Sequence, residues 1–150
     1  MTTTEGTGTF TAAERAAMKA RAAEVRTQER AGKAAAKAAQ LEADVLARIA
    51  ELPDGDRAIA QRVHEIVREA APGLAPRTWY GMPAYTKDGK VAVYVKPASK
   101  FGQRYETLGF EDAAALDDGD LWATCFAVTR VTDDVAERVA GLVRRAASDA

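Results

Sequence analysis

An α+β fold is what this sequence predicts, and three observations lead there. Two amphipathic helical runs come first, over residues 41–52 and 54–71. A block of alternating residues with tight-turn signals follows over 77–128. A last helical run closes the chain from Thr132. Helices, then antiparallel hairpins, then a helix is the order of a small antiparallel sheet packed by an N-terminal helical hairpin and a C-terminal helix. An Ala/Lys/Arg-rich helical arm over residues 11–40 precedes this domain of 41–150, and residues 1–10, rich in Thr and Gly, read as a disordered tail.

The arm begins at Thr11, where "TAAE" is a capping box with Glu14 at the third helical position. Good helix formers fill it, yet Met18 and Val25 are its only fully apolar residues larger than Ala. So little apolar surface predicts a solvated or loosely docked helix, with a break or fraying near Gly32. Packing resumes with Leu41, Val45, Leu46, Ile49 and Leu52 at helical spacing, and Pro53 stops the run. "PDGD" reads as a turn in which Asp54 or Asp56 caps the next helix. That helix carries Ile59, Val63, Ile66, Val67 and Ala70 on one face, so two helices meet in an αα-hairpin.

The sheet residues follow. "MPAYTK" and "GKVAVYVKP" read as strands joined at Asp88–Gly89, the strongest short hairpin signal. "QRYETLGF" and "ATCFAVT" supply a third and a fourth strand, with "EDAAALDDG" between them as a short helix ending at Gly119. Thr132 caps a last helix whose face is Val135, Val139, Leu142, Val143 and Ala146.

Net charge is −1, but residues 1–40 carry seven Lys/Arg against four Asp/Glu, and residues 41–150 carry fourteen against eighteen. A net-acidic body argues against nucleic acid, whose phosphates need positive charge. No apolar run is long enough for a membrane span, and no basic and apolar leader is present at the start, so a cytoplasmic protein is expected. The single Cys125 staples nothing from within and reads as a small buried hydrophobe. One His and one Cys do not build a zinc site. His64 lies about 140° from Ile59 around its helix and reads as an exposed or boundary residue. No catalytic triad spacing and no glycine-rich phosphate loop are present, so no enzyme activity is expected.

The run "WYGMPAY", with "DGK", "YETLGF" and "LDDGDLW", resembles the YdhG-like family of small bacterial proteins, over roughly residues 41–147. The resemblance implies an α+β domain often compared with frataxin, and some relatives are described as iron chaperones. It brings no metal-ligand motif with it.

Two sites are candidates from the residues themselves. The first is an acidic cluster, Glu111, Asp112, Asp117, Asp118 and Asp120, because hard cations, iron included, take carboxylate oxygens. The competing reading is that these residues serve as caps, turns and solvated surface. The second is an aromatic cleft for a small ligand or a partner protein, built from Trp79, Tyr80, Met82, Tyr85, Tyr94, Tyr105 and Trp122. Lys87, Lys96, Lys100 and Arg104 stand near it to receive an anion. Gly81 permits a bend there, and Pro83 belongs at a sheet edge or at a strand's beginning. Trp79 and Tyr80 are adjacent, so their rings should not share one face without a local irregularity.

Overall fold

Helix α1 starts at the capping box: the amide of Glu14 donates to Oγ1 of Thr11 at 3.1 Å. It then runs unbroken from Ala12 to Ala50. Gly32 does not interrupt it, because good helix formers flank this one weak residue on both sides. The computed structural model describes residues 9–149. Most of the expected tail, residues 1–8, therefore lies outside the described residues. Two units are distinguished, residues 1–37 and 38–150. In the first, among the described residues, only Val25 is less than exposed, and Met18 is 53% exposed.

The second unit holds the rest of α1, then α2 (Asp54–Ala70), β1 (Ala75–Trp79), β2 (Met82–Lys87), β3 (Lys90–Lys96), β4 (Glu106–Phe110), β5 (Cys125–Val128) and α3 (Asp133–Ala147). The strands form one antiparallel meander in sequence order. Two tight turns, and a one-residue register shift between β2 and β3 at Tyr85/Thr86, set its register. Asp88 and Gly89 both have positive φ, 50° and 81°, the backbone of a two-residue hairpin turn. Tyr80 and Gly81, at 51° and 74°, repeat it one strand earlier. The bend at "WYGM" is thus a full hairpin turn, with Trp79 paired to Met82.

Strand β1 was not expected, since Pro76 and the preceding "APG" read as a helix ending. It is an edge strand, where a missing N–H is tolerated. Pro83 sits near the start of β2, before pairing with β3 begins at Ala84, so β2 is interior although it contains a proline.

One sheet face is covered. Tyr85, Val93, Val95, Leu108, Phe110 and Val128 join Val45 and Ile49 of α1, Ile59, Val63 and Val67 of α2, and Val139, Val143 and Ala146 of α3 in a single core. At about 25 cal/mol per Å² of apolar surface removed from water, this layer is the main favourable term of the fold. Thr132 caps α3 as expected, accepting from Val135 N at 3.3 Å. For α2 the expectation fails: Pro53 is the N-cap residue, without a side-chain cap bond, and Asp56 turns inward.

The expected helix over Glu111–Gly119 is absent. Its backbone groups are taken by tertiary partners instead. Glu111 N donates to Ala92 O at 3.0 Å, Ala115 N to Ala146 O at 3.3 Å, and Arg145 reaches Leu116 O at 3.3 Å. Ala114 and Leu116 are buried, in a loop pinned to α3. Cys125 is exposed rather than buried, because β5 is the other edge strand and Cys125 lies on its uncovered side.

Opposite Tyr94 stands Gly109. A Cβ at Gly109 would clash with the ring carbon Cζ of Tyr94, far inside contact distance. We expect Gly109→Ala to lower stability by about 1–3 kcal/mol, the usual cost of overpacking. In a double-mutant cycle, Tyr94→Ala should remove most of that cost. Two independent, additive losses would show that the ring does not depend on the glycine. A second expectation concerns the arm. Every buried residue among those described lies between Val45 and Ala146. A chain beginning at Ala38 should therefore unfold within a few degrees of the full-length protein, as followed by circular dichroism.

Candidate functional site

The alternation of strand side chains, with the register above, sorts the aromatic residues onto two faces. Tyr85 pairs with Val93 and points into the core. Trp79, Met82 and Tyr94 belong to the opposite face, together with Lys96, Thr107 and Cys125. Tyr80 is in the turn itself and is 79% exposed. Trp79 and Tyr80 can thus stand on one side because the second of them is not a strand residue.

On this open face lies a concavity of about 480 Å³ lined by Trp79, Tyr80, Met82, Tyr94, Lys96, Lys100, Phe101 and Glu111. Trp79 is central to its wall, 5.1 Å from the Tyr80 ring and 5.4 Å from the Tyr94 ring, both tilted. Met82, 6% exposed, is nearly closed over. The far wall is the short 3-10 turn Ser99–Phe101. Lys96 Nζ stands 4.7 Å from the centre of the Phe101 ring and Lys100 Nζ 5.6 Å from it. Lys100 also donates to Tyr80 O at 3.3 Å, which ties this wall to the turn opposite. Burial and the Cys125 thiol, 3.7 Å from its hydroxyl, push Tyr94 up to about 12, so the phenol keeps its proton.

Three of the expected cleft residues are elsewhere. Tyr85 is fully buried. Tyr105 precedes β4 and stacks under Arg104, 5.3 Å away. Trp122 lines a separate hollow with Phe110, Glu111, Asp112 and Asp117. Among the expected cations, Lys87 is engaged with Ser148 O, leaving Lys96 and Lys100 at the cleft. The acidic candidates Glu111, Asp112, Asp117, Asp118 and Asp120 do not converge: among the described residues no three His, Cys, Asp or Glu side chains come together to hold a metal ion. They lie along the 111–120 loop, which turns at Asp112–Ala113 and again at Gly119–Asp120.

His64 is buried at 6% exposure, where an exposed or boundary residue was expected. The apolar stripe of α2 is broader than the sequence pattern suggested, since α2 meets the sheet and α1 together. The imidazole closes a polar chain. Nε2 lies 3.1 Å from Oε1 of Glu42, and Nδ1 lies 2.9 Å from the Tyr85 hydroxyl. Arg68 Nε reaches the same Glu42 oxygen at 3.1 Å. Burial holds His64 below its ordinary value, against the raising effect of Glu42. A neutral ring must then donate from Nε2 to the carboxylate and accept at Nδ1 from Tyr85. Burial also raises Tyr85, which stays protonated. Sealed from solvent at Tyr85, this chain joins sheet to helices.

A second buried polar group lies behind the cleft wall. Glu106 is 2% exposed, and its Oε1 accepts from Ala98 N at 3.1 Å. Its Oε2 meets no donor among the described residues. Asp56 of α2 accepts from Ser99 N at 3.2 Å and from the Ser99 hydroxyl. Burial, and then the hydrogen bond with Asp56, push Glu106 up to about 8. The same shared hydrogen bond is the main reason that Asp56 is lowered. At neutral pH, Glu106 is therefore held in its protonated form beside the Asp56 carboxylate. Sequence reasoning missed this pair. Asp56 looked like a cap, and Glu106 looked like the polar residue of an alternating strand.

A pH dependence of stability follows from Glu106. A carboxyl raised by folding contributes stability that is complete below its unfolded value and is lost as pH rises through about 8. Asp56, being lowered, contributes in the opposite sense, and that part is lost only in acid. The midpoint of thermal unfolding should fall between about pH 5 and about pH 9, and Glu106→Gln should flatten this slope. A slope equally steep in the variant would assign it to other groups.

Comparison with known proteins finds no matching family model, no matching curated protein and no matching solved structure. Among the described residues no helix is long and apolar enough to cross a membrane.

Proposed function

We propose that this protein binds a small planar, anionic ligand in the open-face cleft. The observation that carries this reading is the joining of tilted aromatic rings, Trp79, Tyr80 and Tyr94, with two ammonium groups, Lys96 and Lys100, around about 480 Å³. That volume suits a compact ligand. Rings at these positions do little for the core, which lies on the other face. A planar group stacks against Trp79, and a carboxylate, sulfonate or phosphate reaches Lys96 and Lys100. Glu111, on the same lining, supplies an acceptor for a hydroxyl or amine on the ligand. Nothing in the cleft pairs a nucleophile with a base, so binding without chemistry is the function it supports.

Iron handling, which the resemblance to YdhG-like proteins suggested, lacks a converging set of oxygen ligands among the described residues.

The test is a fluorescence titration with anilinonaphthalene sulfonate, a planar aromatic anion. Saturable binding is expected. Trp79→Ala should weaken it about tenfold, since an aromatic stacking partner is worth roughly 1–3 kcal/mol. The double variant Lys96→Ala/Lys100→Ala should weaken the sulfonate probe but not its uncharged parent amine. Binding of the sulfonate that is unchanged in both variants would place the probe elsewhere and overturn the reading.

A further inference from the structure

The buried pair Asp56–Glu106 holds the cleft's far wall in place. Consecutive residues of the 98–101 segment divide the work. Ala98 gives its amide to Glu106, and Ser99 gives its amide and hydroxyl to Asp56. The next two residues, Lys100 and Phe101, line the cleft. Pro97, fully buried, anchors the segment at one end, and Gly102, with a left-handed φ of 65°, ends it at the other. Between β3 and β4 the ladder stops at Lys96 and Thr107, so no strand pairing holds this segment. The amides of Ala98 and Ser99 are attached to the body through these two carboxyl groups, and Lys100 adds a side-chain tie to Tyr80 O.

We infer that Asp56 and Glu106 form a protonation latch that keeps Lys100 and Phe101 at the cleft while they share one proton and releases that wall when the proton is lost. This inference rests on the cleft being a binding site, and concerns its regulation. With the proton present, only one of the two carboxyl groups is charged. Glu106 Oε1 accepts from Ala98 N, and Asp56 accepts from the amide and hydroxyl of Ser99. When base removes the proton, two carboxylates face each other in a site with little water, and one must find solvent.

The surrounding charges do not offset this. From α2 the facing group is Asp56. Across the sheet, β5 presents the apolar Val128. The nearby ammonium groups lie on the cleft side, Lys96 Nζ over the Phe101 ring and Lys100 Nζ by that ring and Tyr80 O. Asp56 is fixed in the first turn of α2 and Glu106 in β4, so the short segment between Pro97 and Gly102 is the part free to yield. The raised value of Glu106 places the transition on the alkaline side of neutrality.

Hydrogen–deuterium exchange tests the latch without any ligand. The amides of residues 98–102 are compared with those of β3 in the same protein, which cancels the intrinsic effect of pH. From about pH 6 to about pH 9.5 the ratio should rise more than about tenfold in the wild type and stay level in Glu106→Gln, whose amide both donates and accepts without ionising. A level ratio in the wild type overturns the latch, whether or not the variant folds. A rise of equal size in Glu106→Gln overturns it as well. Titration with anilinonaphthalene sulfonate over the same range is the second arm. Alkaline weakening in the wild type, absent in Glu106→Gln, links latch to site. Exchange that responds without any probe binding would leave the latch standing and remove the proposed ligand.

Discussion

Two turns of two residues each, Tyr80–Gly81 and Asp88–Gly89, together with a one-residue register shift between Tyr85 and Thr86, fix which side of the sheet the strand residues take. A hairpin turn of this kind has positive φ at both central residues and joins its strands directly, and the shift then sets Tyr85 opposite Val93. Strand side chains have a period of two, and a slip of one position would exchange the faces. Tyr85 would then leave the core for the surface, and Trp79, Met82 and Tyr94 would crowd against the helices. Placement of a non-glycine residue, Tyr80, at φ 51° costs some backbone energy. It also sets the Tyr80 ring on the lip of the cleft, where a strand residue at the same point would have turned away.

Beneath that register lie two polar connections between sheet and helices, each handled differently. The chain Tyr85–His64–Glu42–Arg68 keeps its single formal negative charge at the partly exposed end, beside a guanidinium, and only neutral groups go deep. Such an arrangement avoids most of the cost of burying a charge. The pair Asp56–Glu106 has no cation, and a shared proton takes that role. The first connection is insensitive to moderate changes of pH because its deep members stay neutral. The second is sensitive for the same reason that it is stable at neutrality: one proton leaves only one of the two carboxyl groups charged.

What the sequence revealed follows from how local each signal is. The fold class, the Thr11 and Thr132 caps and the Asp88–Gly89 turn were legible, because each depends on residues within a few positions of one another. Strand β1 was hidden by Pro76, since only knowledge that the strand lies at an edge makes that proline acceptable. The false helix at Glu111–Gly119 had good helix formers in "DAAAL", but its backbone bonds go to Ala92, Ala146 and Arg145, which are distant in sequence. His64 and Cys125 were misplaced for a related reason. Burial of His64 depends on Glu42 and Tyr85 meeting it from two other elements, and exposure of Cys125 depends on β5 being the last strand. Within the cleft, Trp79, Tyr80, Met82 and Tyr94 could be named from the chain. Asp56 and Glu106 could not, because nothing local distinguishes a latching carboxylate from a capping one.

The open face itself carries the remaining argument about function. Three helices cover one side of a five-stranded sheet, and on the other side stability alone favours polar residues, as in most half-buried antiparallel sheets. Here the uncovered side holds Trp79, Met82 and Tyr94, with Tyr80 and Phe101 at its margin, the last two 79% and 43% exposed. Aromatic surface left in water gains little for folding and invites unwanted association. Gly109 deepens the point. Glycine in a strand interior forfeits both a side chain and some backbone entropy, yet it is the residue that lets the Tyr94 ring lie flat across β4 toward Cys125. A protein that pays stability at Gly109 to lay Tyr94 beside Trp79 has shaped that surface for contact with something other than its own core. The two ammonium groups held at its rim determine the charge of what fits.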